Sequence, residues 1–341
     1  DWKGSHAARG SCCARPYSGG ELRRPKPGLA QDRGGMQRAE GGAGMKRVLI
    51  TGAGSYIGTA FESWIAERSD SIVTETLGMR DGAWRGHDFH GYDSVFHVAG
   101  LAHADVGKVS EETKELYYKV NCDLAVECAG KAKAEGVGQF IFMSSIIVYG
   151  DSAGIGKRKV IGRDTPLAPA NFYGDSKVRA EKGLRELEDD GFRVVILRPP
   201  MIYGKGSKGN YPLLAKLAVK LPFFPKEENQ RSMLYIGNLC RFVELMVENG
   251  ERGIFYPQNE EYVRTADMVA AIAAEHGKRI RLTGIFHPAL WLLGKIGGKL
   301  GGLADKAFGN MVYEKEMSDY REEYRVYGFR ESVHLTESRD A

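Results

Sequence analysis

The chain has 341 residues, of which 43% are hydrophobic and 27% are charged, a composition typical of a globular protein with a sizeable core. It has no Gly-X-Y period, no long heptad pattern, few cysteines and no long uncharged apolar run. These absences exclude the collagen-like, coiled-coil, disulfide-scaffold and membrane-spanning helical classes. The net charge of +4 comes entirely from residues 1–44, so it does not indicate a nucleic-acid partner.

Residues 1–44 contain ten Gly and three Pro with almost no periodic apolar residues, which predicts a disordered leader. The leader has no apolar stretch of the signal-peptide kind, and its acids and glycines argue against mitochondrial targeting. Codons for Glu40-Gly41-Gly42 can spell a bacterial ribosome-binding site, which favours Met45 as the true start.

Cysteine and histidine usage predicts a reducing compartment and no metal. The five cysteines are odd in number and form no CxxC, so we expect a cytoplasmic protein. Four histidines, at 87, 90, 97 and 103, are close in sequence. They lack an HExxH spacing or neighbouring cysteines, so no metal site is predicted.

The first strand leads directly into a glycine-rich turn. Residues 46–50 form an apolar, β-branched run, residues 51–58 read TGAGSYIG, and apolar residues follow at helical spacing over 59–67. Such a strand–turn–helix unit is typical of dinucleotide binding, with the pyrophosphate at the helix N-terminus. The alternative is a tight turn without ligand. The predicted cofactor-binding residues here are Gly52, Gly54, Ser55, Tyr56, Ile57 and Gly58.

The second strand, predicted at 72–77, carries the residues that would distinguish two cofactors. Glu75 is a candidate for the adenosine ribose hydroxyls of NAD, although the spacing places Thr76 nearer the usual acidic position. Arg80 is a candidate for the 2′-phosphate of NADP, or is a solvated loop charge. Both cofactors stay open, with NAD favoured.

A serine, a tyrosine and a lysine form the predicted catalytic set. Ser145 follows the apolar strand 139–143, and Tyr173 and Lys177 share one helix face at i and i+4. A lysine ammonium beside a phenol favours the phenolate, which suits removal of a hydroxyl proton as hydride leaves carbon. Ser145 is expected to hold the same substrate oxygen.

Together these motifs resemble the extended short-chain dehydrogenase/reductases, the NAD-dependent epimerase/dehydratase family, over nearly all of residues 45–341. The resemblance rests on TGAGSYIG (51–58), DSVFHVAG (93–100), Asn121, SSIIVYG (144–150), YGDSK (173–177), RPPMIYG (198–204) and RSMLYIGNL (231–239). It implies an α/β fold, with a Rossmann-type doubly wound parallel sheet and a smaller C-terminal substrate lobe. The implied domains are 45–198 for NAD(P) and 199–341 mainly for substrate, interleaved with the first. A homodimer is also implied.

The resemblance also implies further contacts. Segment 93–100 would end the fourth strand against the cofactor and Asn121 would lie in the next helix, unless it only caps a kink. The backbone after Pro199 would border the nicotinamide, while Tyr203 would shape the substrate site. The remaining implied residues are His97, Ala99 and Gly100 for the cofactor, and Asn210 and Arg231 for the diphosphate of a nucleotide-sugar. The alternative for Arg231 is a structural ion pair.

Ile146 and Ile147 argue against a dehydratase, because they occupy the positions where dehydratases of this family carry an acid and a base, and isoleucine cannot transfer a proton. The resemblance therefore implies epimerisation or 4-keto reduction at C4 of a nucleotide-activated, UDP-linked sugar, in surface-polysaccharide synthesis. The alternatives are a non-catalytic NAD(P)-binding redox sensor and a reductase of non-sugar carbonyls.

Two C-terminal features complete the predictions. A helix is expected from Thr265 to Glu275, with Thr265 as its N-cap. Residues 285–308 are apolar with spaced lysines and are interpreted as a lid over the sugar. The alternative is an interfacial helix at a membrane surface, against which the glycines of 294–302 argue.

Overall fold

The computed structural model describes residues 44–102, 109–288 and 307–338. Its strands are β1 (Lys46–Thr51), β2 (Ile72–Leu77), β3 (Ser94–His97), β4 (Gln139–Met143), β5 (Val160–Ile161), β6 (Arg193–Leu197), β7 (Met201–Tyr203), β8 (Phe223–Pro225), β9 (Met233–Tyr235), β10 (Gly253–Phe255), β11 (Arg281–Thr283) and β12 (Val312–Tyr313). Its α-helices are α1 (Tyr56–Arg68), α2 (Glu111–Tyr118), α3 (Leu124–Ala134), α4 (Phe172–Leu187), α5 (Asn210–Lys220), α6 (Ile236–Asn249), α7 (Thr265–Glu275) and α8 (Phe329–Glu337). Within these ranges no helix has the length and apolar character needed to cross a bilayer.

Six strands form one parallel sheet in the order β2-β1-β3-β4-β6-β10. The order reverses at β1, where β2 lies on one side and β3 on the other. Ligands of open parallel sheets bind at the carboxyl edge beside such a reversal. The predicted fold class is confirmed.

Alternate residues of each central strand enter different cores, as a sheet covered on both faces requires. In β4, Ile141 packs with α1 and α6, whereas Phe140 and Phe142 pack with α3 and α4. Because both of their faces are buried, β1 and β4 contain continuous apolar runs and were predictable from the sequence. The edge strand β2 is partly exposed and was predictable from its β-branched residues instead.

The chain after β6 builds a second layer around two short parallel strand pairs, β7–β9 and β8–β11. Helices α5, α7 and α8 pack together around them. The same stretch of chain also returns to the large sheet, because β10 pairs with β6 and α6 packs against α1. The domain boundary at 198/199 stays a prediction.

Three details of the sequence analysis need correction. Segment 93–100 contains the third described strand, not the fourth, because the chain between β2 and β3 forms a short 3₁₀ turn at Ala83–Gly86. Helix α1 begins at Tyr56, three residues before the expected start. Thr265 is the first residue of α7 rather than its cap, and its Oγ1 donates to Ala307 O at 2.6 Å.

Candidate active site at the carboxyl edge of the sheet

The turn after β1 requires glycine at two positions. Gly52 and Gly54 have φ of 116° and 72°, values that other residues rarely adopt. A Cβ on Gly52 would lie 2.8 Å from the backbone nitrogen of Ala99, so the turn and the segment after β3 are in close contact. This places Ala99 beside the glycine-rich turn, as expected for a cofactor site.

Ser55 acts as the N-cap of α1, which explains why a serine is accommodated in the glycine fingerprint. Its Oγ accepts a hydrogen bond from Gly58 N at 3.1 Å. The positive end of the helix dipole is thereby directed at the carboxyl edge of the sheet. Together with the open space around Gly54, where a Cβ would meet nothing within 4 Å, this arrangement fits a dinucleotide pyrophosphate.

Asn121 fixes the backbone that follows β3. Its side chain is fully buried and bonds Leu101 twice, accepting from the N–H at 2.7 Å and donating to the carbonyl at 3.1 Å. Its Nδ2 also lies 3.2 Å from Ser176 Oγ on α4. Asn121 lies in a short π-helical segment, Lys119–Asp123, a local widening that often marks functional sites.

Gly100 lies between this clamp and the predicted catalytic lysine. A Cβ at Gly100 would be 3.1 Å from Asn121 Oδ1 and 3.5 Å from Lys177 Nζ. Gly100, Asn121 and Lys177, which the sequence analysis assigned to one site, are therefore neighbours. Because Gly100 has no side chain, it leaves open space between the other two.

His97 occupies a different environment from the one expected. The ring is fully buried in β3, its Nδ1 lies 2.8 Å from Thr51 Oγ1, and it stacks on Phe140. Burial, with the nearby charge of Lys177, lowers the pKa of His97 to about 3, so the ring is neutral. The side chain faces the core between the sheet and α3, and only the backbone of His97 leads toward the site.

Tyr173, Lys177 and Ser145 meet where β4 ends against α4. Ser145 forms a hydrogen bond with the Tyr173 hydroxyl. Lys177 is buried and its Nζ donates to Met143 O, at the last residue of β4, at 2.8 Å. Pro199 O accepts from Ile146 N at 2.9 Å, which holds the end of β6 beside the Ser145 loop.

The pKa values in this cluster differ from the simple expectation of a lowered phenol. Burial and the neighbouring Tyr117 raise the pKa of Tyr173 to about 12, against the effect of the Ser145 hydrogen bond. Burial lowers the pKa of Lys177 to about 8, against the opposing charge of Glu181. The expectation that Lys177 brings the Tyr173 pKa down is therefore wrong for the protein alone, because desolvation is the larger effect on both groups.

A buried ion pair behind the cluster escaped sequence analysis. Arg198 and Glu181 form two hydrogen bonds, of 3.0 and 2.5 Å, with both side chains almost fully buried. Glu181 also accepts from Ser144 Oγ at 2.5 Å. The signal was present in the sequence, since Tyr173, Lys177 and Glu181 lie at i, i+4 and i+8 on one helix face.

The two residues proposed to distinguish NAD from NADP lie apart. Glu75 is two residues before the end of β2, and its carboxylate accepts from Tyr92 OH at 2.5 Å, with His87 Nε2 at 3.7 Å. Arg80 is exposed, three residues beyond the strand. The turn at Gly52 meets β2 at Leu77, whose carbonyl accepts from Gly52 N at 2.8 Å. The roles of Glu75 and Arg80 in binding the cofactor ribose or its 2′-phosphate stay predictions.

Asn210 and Arg231 line the same small cavity in the second layer of the molecule. Met201, Leu213, Leu214, Met233, Thr265 and Ala307 complete its lining. Burial lowers the pKa of Arg231 from its usual value. Tyr203 is not part of this lining, since it is fully buried and its hydroxyl bonds Ser332 Oγ at 2.6 Å and Asn259 Nδ2 at 3.1 Å.

The clustered histidines divide among different environments. His87 lies near Glu75, His97 is in the core, and His103 lies outside the described residues. His90 lies with Asp88 and Glu135 in a largely exposed group whose ligand atoms are within 4.8 Å of one another. Exposed groups of this kind are common, and this one lies just before the amino ends of β3 and β4, at the edge of the sheet opposite the site.

Fold and site together define a dinucleotide-binding oxidoreductase scaffold with a Ser–Tyr–Lys set. A sequence model of the NAD dependent epimerase/dehydratase family matches residues 48–257. The chain belongs to this NAD-dependent enzyme family, part of the extended short-chain dehydrogenases/reductases, which confirms the resemblance.

Similar proteins include two curated bacterial enzymes. The chain is 32% identical to a UDP-glucose 4-epimerase of Vibrio cholerae, over 76% of this chain and 84% of the relative. It is 28% identical to an N-acetyl-alpha-D-glucosaminyl-diphospho-ditrans,octacis-undecaprenol 4-epimerase of Escherichia coli O157:H7, over 77% and 81%. Among solved structures, a UDP-glucuronic acid 4-epimerase from Bacillus cereus in complex with NAD gives a TM-score of 0.61 at 15% identity, covering 85% of this chain and 96% of the other. The last likeness bears on the fold alone.

Proposed function

We propose that the chain is an NAD-dependent 4-epimerase of a nucleotide-activated, UDP-linked sugar. The observation that carries the proposal is the hydrogen-bonded Ser145–Tyr173 pair beside buried Lys177, at the sheet edge that also presents the glycine-rich turn. Both curated relatives described above are 4-epimerases, which favours epimerisation over the net reduction of a 4-keto-sugar. Ile146 and Ile147, which cannot transfer protons, argue against a dehydratase.

In this proposal Tyr173 moves one proton in each direction. Its phenolate oxygen takes the proton of the sugar C4 hydroxyl as the C4 hydride leaves, and it returns a proton to the same oxygen when hydride is delivered to the other face of C4. Ser145 donates to that oxygen and keeps it near Tyr173. The bound nicotinamide would supply the hydride acceptor and a positive charge that favours the phenolate.

The other predicted contacts keep their assigned roles within the proposal. Gly52, Gly54 and the start of α1 would hold the pyrophosphate, while Asn121, Gly100 and the backbone after Pro199 would shape the nicotinamide end. Asn210 and Arg231, which line one cavity, would meet the diphosphate of the sugar nucleotide, for which Arg is a natural donor.

The first experiment is to denature the purified full chain and identify the released nucleotide by mass spectrometry. An epimerase holds its cofactor through a complete oxidation–reduction cycle, so near-stoichiometric NAD is expected. An empty protein that binds NADH or NADPH reversibly would overturn epimerisation and favour 4-keto reduction. NMR of the C4 configuration after incubation with a panel of UDP-sugars would then identify the substrate.

The Tyr173→Phe variant tests the assigned acid–base group. We expect turnover to fall by about 10²- to 10⁴-fold with NAD retention unchanged. Tyr118→Phe is a matched control, because its hydroxyl bonds Asp175 at 2.8 Å on the neighbouring helix surface. If the Tyr173→Phe variant turned over as fast as the control, the proposed chemistry would be wrong.

A further inference from the structure

The second layer of the molecule exposes several large apolar side chains in one region. Among the described residues, nine large hydrophobic side chains are exposed. Four of them belong to this region: one on α5, one between α5 and β8, one on β8 and one on the turn after β11. These four are Leu213, Leu221, Phe223 and Ile285, with Ile285 82% exposed. The clustering separates this region from the scattered exposed apolar residues that any protein surface carries.

The pleat of the β8–β11 pair explains why apolar and basic side chains share this surface. Phe223 is in register with Arg281, and both are exposed, whereas Phe224 and its partner Leu282 pack toward the core. Period-two alternation extends this outer side to Leu221 and Arg279, which are also exposed. We call Lys220, Leu221, Phe223, Arg279, Arg281 and Ile285 the β8–β11 face.

The charge around the β8–β11 face has one sign. Segments 211–226 and 276–288 hold six Lys and Arg and no Asp or Glu. The carboxylates nearest to these segments already have partners. Glu227 pairs with His287 at 3.0 Å and Glu228 with Arg264 at 2.9 Å, while Glu275 pairs with His334 and Glu337 with His276, each at 2.7 Å. Among the residues that the structure describes, no salt bridge includes Lys220, Arg279 or Arg281.

We propose that the β8–β11 face docks the protein onto the surface of a bilayer that contains anionic lipid. Exposed apolar side chains enter the boundary between headgroups and acyl chains, while flanking lysines and arginines meet the negative headgroups. A second copy of the chain fits less well, because a two-fold contact would bring the same cations together without acids to neutralise them.

Docking would place the substrate cavity close to the membrane. Helix α5 begins at Asn210, in the lining of the cavity, and ends at Lys220 on the β8–β11 face. Its 11 residues span about 16 Å at the rise of an α-helix. The proposal concerns binding to lipid alone and does not depend on which sugar the cavity takes.

Sedimentation with sucrose-loaded vesicles tests the proposal on the full chain. Vesicles of phosphatidylcholine with phosphatidylglycerol are compared with pure phosphatidylcholine, in the absence of any sugar nucleotide. We expect binding only to the anionic vesicles, with a partition coefficient that falls as salt is added. Absence of binding to the anionic vesicles would overturn the proposal, whatever the outcome of the epimerase assays.

Two double variants and two matched controls locate the contact. We expect Lys220→Gln/Arg281→Gln to reduce the partition coefficient about thirtyfold, because it removes two cations near an anionic leaflet. We expect Phe223→Ser/Ile285→Ser to reduce it by at least about tenfold, because it removes two apolar side chains from the boundary region. Lys182→Gln/Arg330→Gln, which removes the same charge elsewhere, and Val326→Ser, at 45% exposure, are expected to bind like the unmodified chain.

The remaining outcomes of this series count against the proposal. Binding that persists in all the β8–β11 variants would assign the vesicle contact to another part of the chain, including 289–306, which lies outside the described residues. A change of oligomeric mass in the Phe223→Ser/Ile285→Ser variant, measured by sedimentation velocity, would make the face an interface between copies.

Discussion

Lys177 is a buried ammonium with few compensating charges, and its protonation is coupled to folding. Burial lowers its pKa to about 8 in the folded protein, while the unfolded value is near 10.5. Below pH 8 both states carry the proton. Between pH 8 and 10.5 the unfolded chain binds more protons than the folded protein, so the contribution of Lys177 to the free energy of unfolding rises with pH.

The Lys177→Met variant makes this contribution measurable. We expect the free energy of unfolding of the unmodified protein, relative to this variant, to rise by about 3 kcal/mol from pH 8 to 10.5 in cofactor-free protein. Urea titrations at a series of pH values measure it. Lys182→Met, which removes an exposed lysine from the same helix, is the matched control. A flat difference for Lys177 would contradict the buried-ammonium interpretation.

At the scale of elements, the Arg198–Glu181 pair joins the end of β6 to the middle of α4. Burial disfavours the charge of Arg198, but hydrogen bonding and attraction to Glu181 raise its pKa above the usual value. Arg198 also donates to Tyr149 OH at 2.7 Å, just after the Ser145 loop. The pair therefore fixes the strand, helix and loop that carry Ser145, Tyr173 and Lys177 relative to one another.

A double-mutant cycle tests the joint role of the pair. Glu181→Leu leaves the Arg198 charge buried and unpaired, so we expect a loss of about 3–5 kcal/mol in the free energy of unfolding. Glu181→Leu/Arg198→Met should lose less than the sum of the two single variants by about 2 kcal/mol or more. Additive losses in urea unfolding would mean that the two side chains act independently.

The turn between β1 and α1 offers a comparison of two glycines with different constraints. Gly52→Ala adds a Cβ 2.8 Å from the Ala99 backbone to an already unfavourable φ, whereas Gly54→Ala is strained in φ alone. We expect the free energy of unfolding to fall by about 3 kcal/mol or more for Gly52→Ala and by about 1 kcal/mol for Gly54→Ala. Thermal unfolding measures both, and equal losses would show that the contact with Ala99 adjusts freely.

Elements whose apolar runs are buried on both faces could be predicted from the sequence alone. The bounds of β4 match the prediction and β1 extends it by one residue, because Val48, Ile50 and their neighbours face only protein. The bounds of β2 also match, although it is a partly exposed edge strand, because its β-branched residues favour a strand. The presence of Tyr173 and Lys177 on one helix face was predictable for a similar reason, since it follows from helical spacing.

Features that depend on contacts between distant segments were not predictable. The π-helical segment that positions Asn121 is set by its bonds to Leu101 and Ser176. The burial of Tyr203 depends on Ser332, 129 residues later in the chain. The N-cap assigned to Thr265 was wrong because its hydroxyl bonds Ala307, a tertiary partner that no local pattern indicates.

At the scale of the whole molecule, the later half of the chain completes the sheet formed by the first. Strand β10 pairs with β6, and α6 covers the face of the sheet on which α1 lies. Trp64 of α1 donates to Glu244 of α6 at 2.8 Å, with both side chains buried. A cut at the predicted boundary therefore removes an edge strand and one wall of the core.

We accordingly expect a fragment of residues 45–198 not to fold cooperatively. It would expose the apolar face formed by Phe61, Trp64 and Ile65, which is buried in the intact chain, and hydrophobic burial is the main source of stability. Circular dichroism through a urea titration measures the transition, and residues 45–258, which retain β10 and α6, serve as the matched comparison. Co-expression of 45–198 with 199–341 should restore a cooperative transition through the same buried contacts. A cooperative transition in the short fragment alone would show that the sheet is stable without its last strand.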